Sequence, residues 1–187
     1  MFDASDDEIT ELLGQTFLNA GKDLTIFTDE QVDQGIWYLV SSSGSNFLSV
    51  LKSVEVPLAK RVEAVESIFN LYANCFAKRC AESLGHLSEE GSPLNSSCYM
   101  FWDISPLTFM EDASEILEIQ NTVLNVLQQI LAIEHRACRE SALHGLSELT
   151  FAYPEKVHEI IDGFLKDTKL DDQLLAYAVD ARDGNVL

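Results

Sequence analysis

The residues best placed for chemistry lie in one short run. Glu140 and His144 stand four positions apart, one helical turn from each other on the same face. A carboxylate oxygen and an imidazole nitrogen at that spacing can share a metal ion. Glu134, His135 and Cys138 can join the set only if neighbouring turns converge, and no HExxH run is present. The simpler expectation is a solvated helix face with a Glu–His hydrogen bond, so no metal and no cofactor are expected; a metal-dependent enzyme centred on Glu140/His144 is the alternative.

Other reactive types are scattered. His86 sits in a Gly- and Ser-rich break and His158 on a surface-like position, neither beside a nucleophile and acid in triad order. No GxSxG, GxxxxGK[ST] or GxGxxG occurs. Cys75 and Cys80 are five apart, on different helix faces, and Cys75, Cys80, Cys98 and Cys138 form no CxxC pair. They read as small buried apolar residues in a reducing compartment. Tyr99, Phe101 and Trp102 with Asp103 can line a ligand pocket, but a short aromatic helix is the more ordinary core element, and Trp37-Tyr38 has the same two readings. No catalytic residue is assigned.

The elements that must position these residues are helical throughout. Ala113 to Ile133 carries three apolar stripes at seven-residue spacing: Ile116/Val123/Ile130, Ile119/Val126/Ile133 and Leu117/Leu124/Leu131. Stripes this wide need neighbours on more than one side, so this segment is expected to be the core helix of a stretch running from Glu111 to Leu165. Upstream, Ser5-Asp6-Asp7-Glu8 and Thr28-Asp29-Glu30-Gln31 are capping boxes. The first opens a helix expected to end near Gly21 with a left-handed cap. The second opens a helix that stops in the serine-rich loop 41–46. Pro57 suits the first turn of a long helix whose apolar residues Leu58, Val62, Val65, Phe69, Tyr72 and Phe76 carry it toward Leu84. Residues 85–93 mark an internal break and candidate hinge, and 94–107 a short buried helix ended by Pro106. Helices over 135–151, from Pro154, and from Asp171 complete the chain, with Gly145 where a neighbour approaches closely. The pattern predicts one all-α domain over 1–187, with seven to nine helices packed as antiparallel pairs.

Arg139-Glu140-Ser141-Ala142-Leu143-His144-Gly145-Leu146-Ser147-Glu148-Leu149, then Pro154 and Val157-xx-Ile160-Ile161-xx-Phe164-Leu165, resembles a HEAT/armadillo-type helical repeat. The resemblance covers one unit, about residues 134–183, within a HEAT-like part spanning 111–187. It implies a stack of helix pairs serving as a binding scaffold.

The net charge of −19 opposes binding to nucleic acid phosphates and anionic membranes. Met1 to Glu8 has no basic-then-apolar leader pattern, and no run of 18 uncharged apolar residues occurs, so a cytoplasmic protein is expected. Charge is unevenly spread: Asp3, Asp6, Asp7, Glu8, Glu11, Asp23, Asp29, Glu30 and Asp33 face only Lys22 within residues 1–33. Residues 52–79 hold Lys52, Lys60, Arg61, Lys78 and Arg79 against Glu55, Glu63 and Glu66. The expected function is a non-catalytic protein-binding module, scaffold or inhibitor, that docks a basic partner on Asp6, Asp7, Glu8, Glu11, Asp29, Glu30 and Asp33. A subunit that self-associates through an apolar face is the remaining alternative.

Overall fold

Both capping boxes form. Ser5 Oγ accepts from the Glu8 amide at 3.3 Å while Glu8 returns to the Ser5 amide at 2.9 Å, opening α1 (Asp6–Leu18). Thr28 and Gln31 do the same for α3 (Asp29–Val40), with distances of 3.3 and 3.0 Å. The computed structural model describes residues 4–109, 114–166 and 171–186. Asp3 and the first residues of the 111–165 stretch lie outside them.

The remaining helices are α2 (Ala20–Asp23), α4 (Leu58–Leu71), α5 (Ala77–Arg79), α6 (Asn95–Met100), α7 (Ser114–Leu131), α8 (Arg136–Leu149), α9 (Pro154–Phe164) and α10 (Asp172–Arg182). Short 3-10 turns punctuate them, and no strand occurs among the described residues. The protein is all-α. In packing order α1 lies on α4, α4 on α7, α7 on α8, and α8 on α10, with α3 against α6 and α6 against α8. The links 132–135 and 150–153 are short enough to force α7, α8 and α9 into antiparallel succession. One hydrophobic cluster runs from Leu13 to Val186.

The boundaries differ from expectation in three places. The first helix is interrupted at Asn19, whose amide bonds to Gln15 and Phe17, so Gly21 sits inside α2 without a left-handed φ. Its missing side chain serves another purpose: a Cβ there would lie 2.7 Å from Asn74 Cβ. The Pro57 helix widens into a π-turn over Tyr72–Phe76 and stops at Arg79 instead of Leu84. Beyond it Ala81 is held in the loop by the Asn95 side chain, which bonds both its N–H and its C=O at 2.9 and 3.0 Å. Finally, α6 ends at Met100, and Pro106 opens a 3-10 turn capped by Ser105. Among the described residues these interruptions give ten α-helical segments in place of the seven to nine helices expected, several of them short.

Phe101 and Trp102 are wholly buried in an aromatic core with Tyr72, Phe76 and Phe17. Tyr72 and Trp102 stack at 6.2 Å, while Phe101 meets Phe17, Tyr72 and Phe76 edge-on. The aromatic run is therefore core, apart from Tyr99 and Asp103. Trp37 is part-buried and Tyr38 exposed, its ring edge-on to Phe47.

Candidate functional site

The most enclosed helix is α8, not the strongly apolar α7. On α7, Leu117, Glu118, Asn125, Gln128 and Gln129 face outward, so the third stripe is only partly used. On α8 every residue except Arg136, Arg139 and Glu148 is buried. Glu140 and His144 are each 1% exposed, which overturns the expected solvated face. The physical reason is that Glu140, Ser141 and the Nδ1 of His144 find partners on distant segments. Ser141 Oγ donates to the Cys98 carbonyl at 2.5 Å and meets Tyr72 OH at 2.8 Å. Gly145 lets Trp102 lie against the helix: a Cβ there would be 2.7 Å from Trp102 Cγ and 2.9 Å from Leu127 Cδ2.

Glu140 and His144 serve different neighbours. The Glu140 carboxylate accepts from the amides of Gly85 and His86, at 2.7 and 3.0 Å, and lies 2.5 Å from His86 Nδ1. It thereby organises the turn at 85–87, so the 85–93 break is pinned to α8 at its start. The His86 ring stacks on Tyr177 with centroids 4.3 Å apart. Tyr177 OH in turn meets His144 Nδ1 at 2.9 Å and Tyr99 OH at 3.4 Å. Burial, then the Tyr99 phenol beside it, pushes the Tyr177 hydroxyl well above its ordinary value; burial likewise raises Tyr99. Both phenols stay protonated across the physiological range. On its other side, His144 Nε2 faces Asp103 Oδ1 at 3.8 Å.

His135 and Cys138 belong to a separate group at the start of α8. His135 Nε2 lies 3.2 Å from the Cys80 carbonyl. The Cys98 thiol, followed by His135, lowers the Cys138 thiol to about 6 despite burial, while burial holds Cys98 well above its ordinary value. Both sulfurs are fully buried. His158 is part-buried on α9, and Glu134 is exposed in the α7–α8 link.

The acidic residues of the first helices divide into two groups. Asp7 pairs with Lys60 at 2.7 Å, Asp29 with Arg79 at 2.8 Å, and Asp33 accepts from the Ser97 amide and hydroxyl at 3.1 and 2.6 Å. Glu8 is engaged in its own cap. Of the basic residues of 52–79, Lys52, Lys60, Arg61 and Arg79 are thus engaged, while Lys78 is exposed. Arg79 also donates to the Leu24 and Phe27 carbonyls, Lys52 to those of Pro106 and Phe109, and buried Arg61 to that of Val56. Asp6, Glu11 and Glu30 remain exposed.

Glu11 is one wall of a groove of about 640 Å³ between α1 and α4. Gly14 faces Ala64, which lies 3.5 Å from an ideal Cβ at Gly14, and these two with Leu18 supply the apolar part of its lining. Across it stand Glu63 and Glu66, which make no ion pair among the described residues, and Lys60, already held by Asp7. Glu63 and Glu66 did not stand out in the sequence because they lie in the mildly basic segment 52–79; their recurrence with Ser67 and Asn70 along one face was the available signal. Tyr177 was missed because it lies 33 positions from His144, and Glu148 was passed over although its spacing, four positions after His144 on the same helix, was available. No protein-family model, curated protein or solved structure matches the chain. Among the described residues no helix is long and apolar enough to cross a membrane.

Proposed function

We propose that the protein is a non-catalytic binding module that takes a basic segment of another protein in the α1–α4 groove. The observation that carries this reading is the groove itself, lined by apolar Leu18 and Ala64, by Gly14, and by the carboxylates of Glu11, Glu63 and Glu66. A chain segment with apolar residues and Lys or Arg alternating along its length would satisfy both parts. The engagement of Asp7, Glu8, Asp29 and Asp33 moves the binding role from the whole acidic end onto Glu11, with Asp6 and Glu30 as peripheral charges. The net charge of −19 supports attraction of a basic partner and argues against nucleic acid. The succession of α7, α8 and α9 is compatible with the HEAT-like resemblance and a scaffold role.

The test is retention from a native cell lysate at low salt on immobilised wild-type protein and on a Glu11→Gln/Glu63→Gln/Glu66→Gln variant. A basic protein held by the wild type, released as salt rises and lost by the variant, supports the reading. Equal retention by both contradicts it. Self-association is a second reading, favoured by exposed Leu12, Leu18, Ile26 and Phe27 near the N-terminus. Solution mass across a concentration series distinguishes it.

A further inference from the structure

We propose that Asp103, His144 and Glu148 form a binding site for one divalent transition-metal ion, independent of the α1–α4 groove. One donor atom from each residue lies within 4.8 Å of the other two. Two ligands each about 2.1 Å from a tetrahedral ion are roughly 3.4 Å apart, so small side-chain adjustments complete the geometry. The His144 Nε2 to Asp103 Oδ1 separation of 3.8 Å is already near that value.

The same separation is too long for a hydrogen bond. His144 Nε2 consequently has no hydrogen-bond partner among the described residues, although the ring is 1% exposed. A buried polar nitrogen without a partner is uncommon and calls for an explanation. Its other nitrogen does have one: Nδ1 lies 2.9 Å from Tyr177 OH. With Nδ1–H donating to the Tyr177 oxygen, the Nε2 lone pair points at the two carboxylates. That is the arrangement by which a second contact fixes the tautomer and orientation of a ligating histidine.

The scaffold holds the three groups from two directions. His144 and Glu148 are one turn apart on α8. Asp103 follows buried Trp102, which reaches α8 only because residue 145 is glycine. The turn carrying Asp103 is fixed by Ile104 N–H donating to the Met100 carbonyl at 3.0 Å and Thr108 Oγ1 donating to the Trp102 carbonyl at 3.1 Å. Asp103 and Glu148 are partly exposed, giving an ion a path from solvent and room for a water ligand. One imidazole and two carboxylates neutralise a divalent charge. This donor set suits Zn²⁺, Mn²⁺, Fe²⁺ or Co²⁺ better than Ca²⁺, which prefers oxygen alone, or Cu⁺, which prefers sulfur. Glu140, the residue whose spacing first suggested a metal, is excluded from the set because the 85–86 amides and His86 occupy it.

The test is calorimetric titration of the full chain with Zn²⁺, together with the visible absorption of its Co²⁺ form. Wild type is compared with Asp103→Asn, Glu148→Gln and Tyr177→Phe. The two carboxamide variants are nearly isosteric at partly exposed positions, and circular dichroism checks their fold. One ion per chain is expected, with affinity lowered tenfold or more by D103N and by E148Q, and about tenfold by Y177F through loss of positioning. No binding by folded wild type, or binding unchanged in D103N and E148Q, overturns the assignment; unchanged affinity would place the ion elsewhere, for example on the cysteines.

Discussion

At the scale of single residues, the structure turns on polar groups buried in α8. Glu140 supplies acceptors to two backbone amides and the His86 ring from inside the protein. Removing a charged acceptor leaves those donors without partners, at a cost of about 2–4 kcal/mol. Glu140→Ala is therefore expected to lower stability by that amount in denaturant unfolding and to accelerate hydrogen exchange at Gly85 and His86. A loss below about 0.5 kcal/mol would show that the turn holds itself. Gly145 is constrained from the opposite side, by contact with Trp102 and Leu127. Gly145→Ala improves helix propensity slightly but drives a methyl into both, so a net loss of about 1–3 kcal/mol is expected. A stabilised variant would contradict the close approach of Trp102. The cysteines give a third expectation: Cys75, Cys98 and Cys138 are buried and Cys80 is only partly accessible. A thiol reagent should find at most one reactive group in the native protein and four after unfolding.

At the scale of elements, helix starts carry a measurable acid sensitivity. The bond from the Ser5 amide, then its hydroxyl, holds the Glu8 carboxyl below its usual range. Burial pushes Asp171 up, but Arg136 and the Leu174 amide outweigh it and bring the group below its ordinary value. Each group takes up a proton less readily in the folded chain than in the unfolded one. Their contribution is thus complete above the unfolded value, about 4, and disappears as pH falls through the lower folded values. The loss of stability below about pH 4 should be smaller in Ser5→Ala/Asp171→Asn than in wild type. Identical acid limbs would remove these caps from the account.

The same starts were legible in the sequence, because a cap is a local signal: Ser5, Thr28, Pro154 and Asp171 all open helices where their types and spacing indicate. The enclosure of α8 was not legible. Glu140 finds its amides 54 and 55 positions away, and His144 finds Tyr177 at a separation of 33. Polar composition read along the helix therefore suggested solvent, when distant segments supply the partners. For the same reason the helix with the widest apolar stripes, α7, drew attention away from α8. The stop at Arg79 was equally hidden, since it depends on Asn95 from the following segment.

At the scale of the whole molecule, the charge pattern is redistributed by folding. The acidic segment 1–33 and the mildly basic segment 52–79 lie against each other, joined by Lys60–Asp7 and Arg79–Asp29. The exposed Lys60–Asp7 pair adds little stability, but the two pairs together remove Lys60 and Arg79 from the free surface groups. What faces outward is more acidic than the sequence order implied, and the α1–α4 groove combines that charge with the apolar side chains of Leu18 and Ala64. The measurement that tests this account most directly is backbone-amide NMR of the protein titrated with an amphipathic Lys/Arg peptide at low and high salt. Binding in the groove predicts shifts concentrated at Thr10, Glu11, Gly14, Ser67 and Asn70, diminished at high salt and absent in the Glu11→Gln/Glu63→Gln/Glu66→Gln variant. Shifts centred on another surface, or unchanged in that variant, would contradict it.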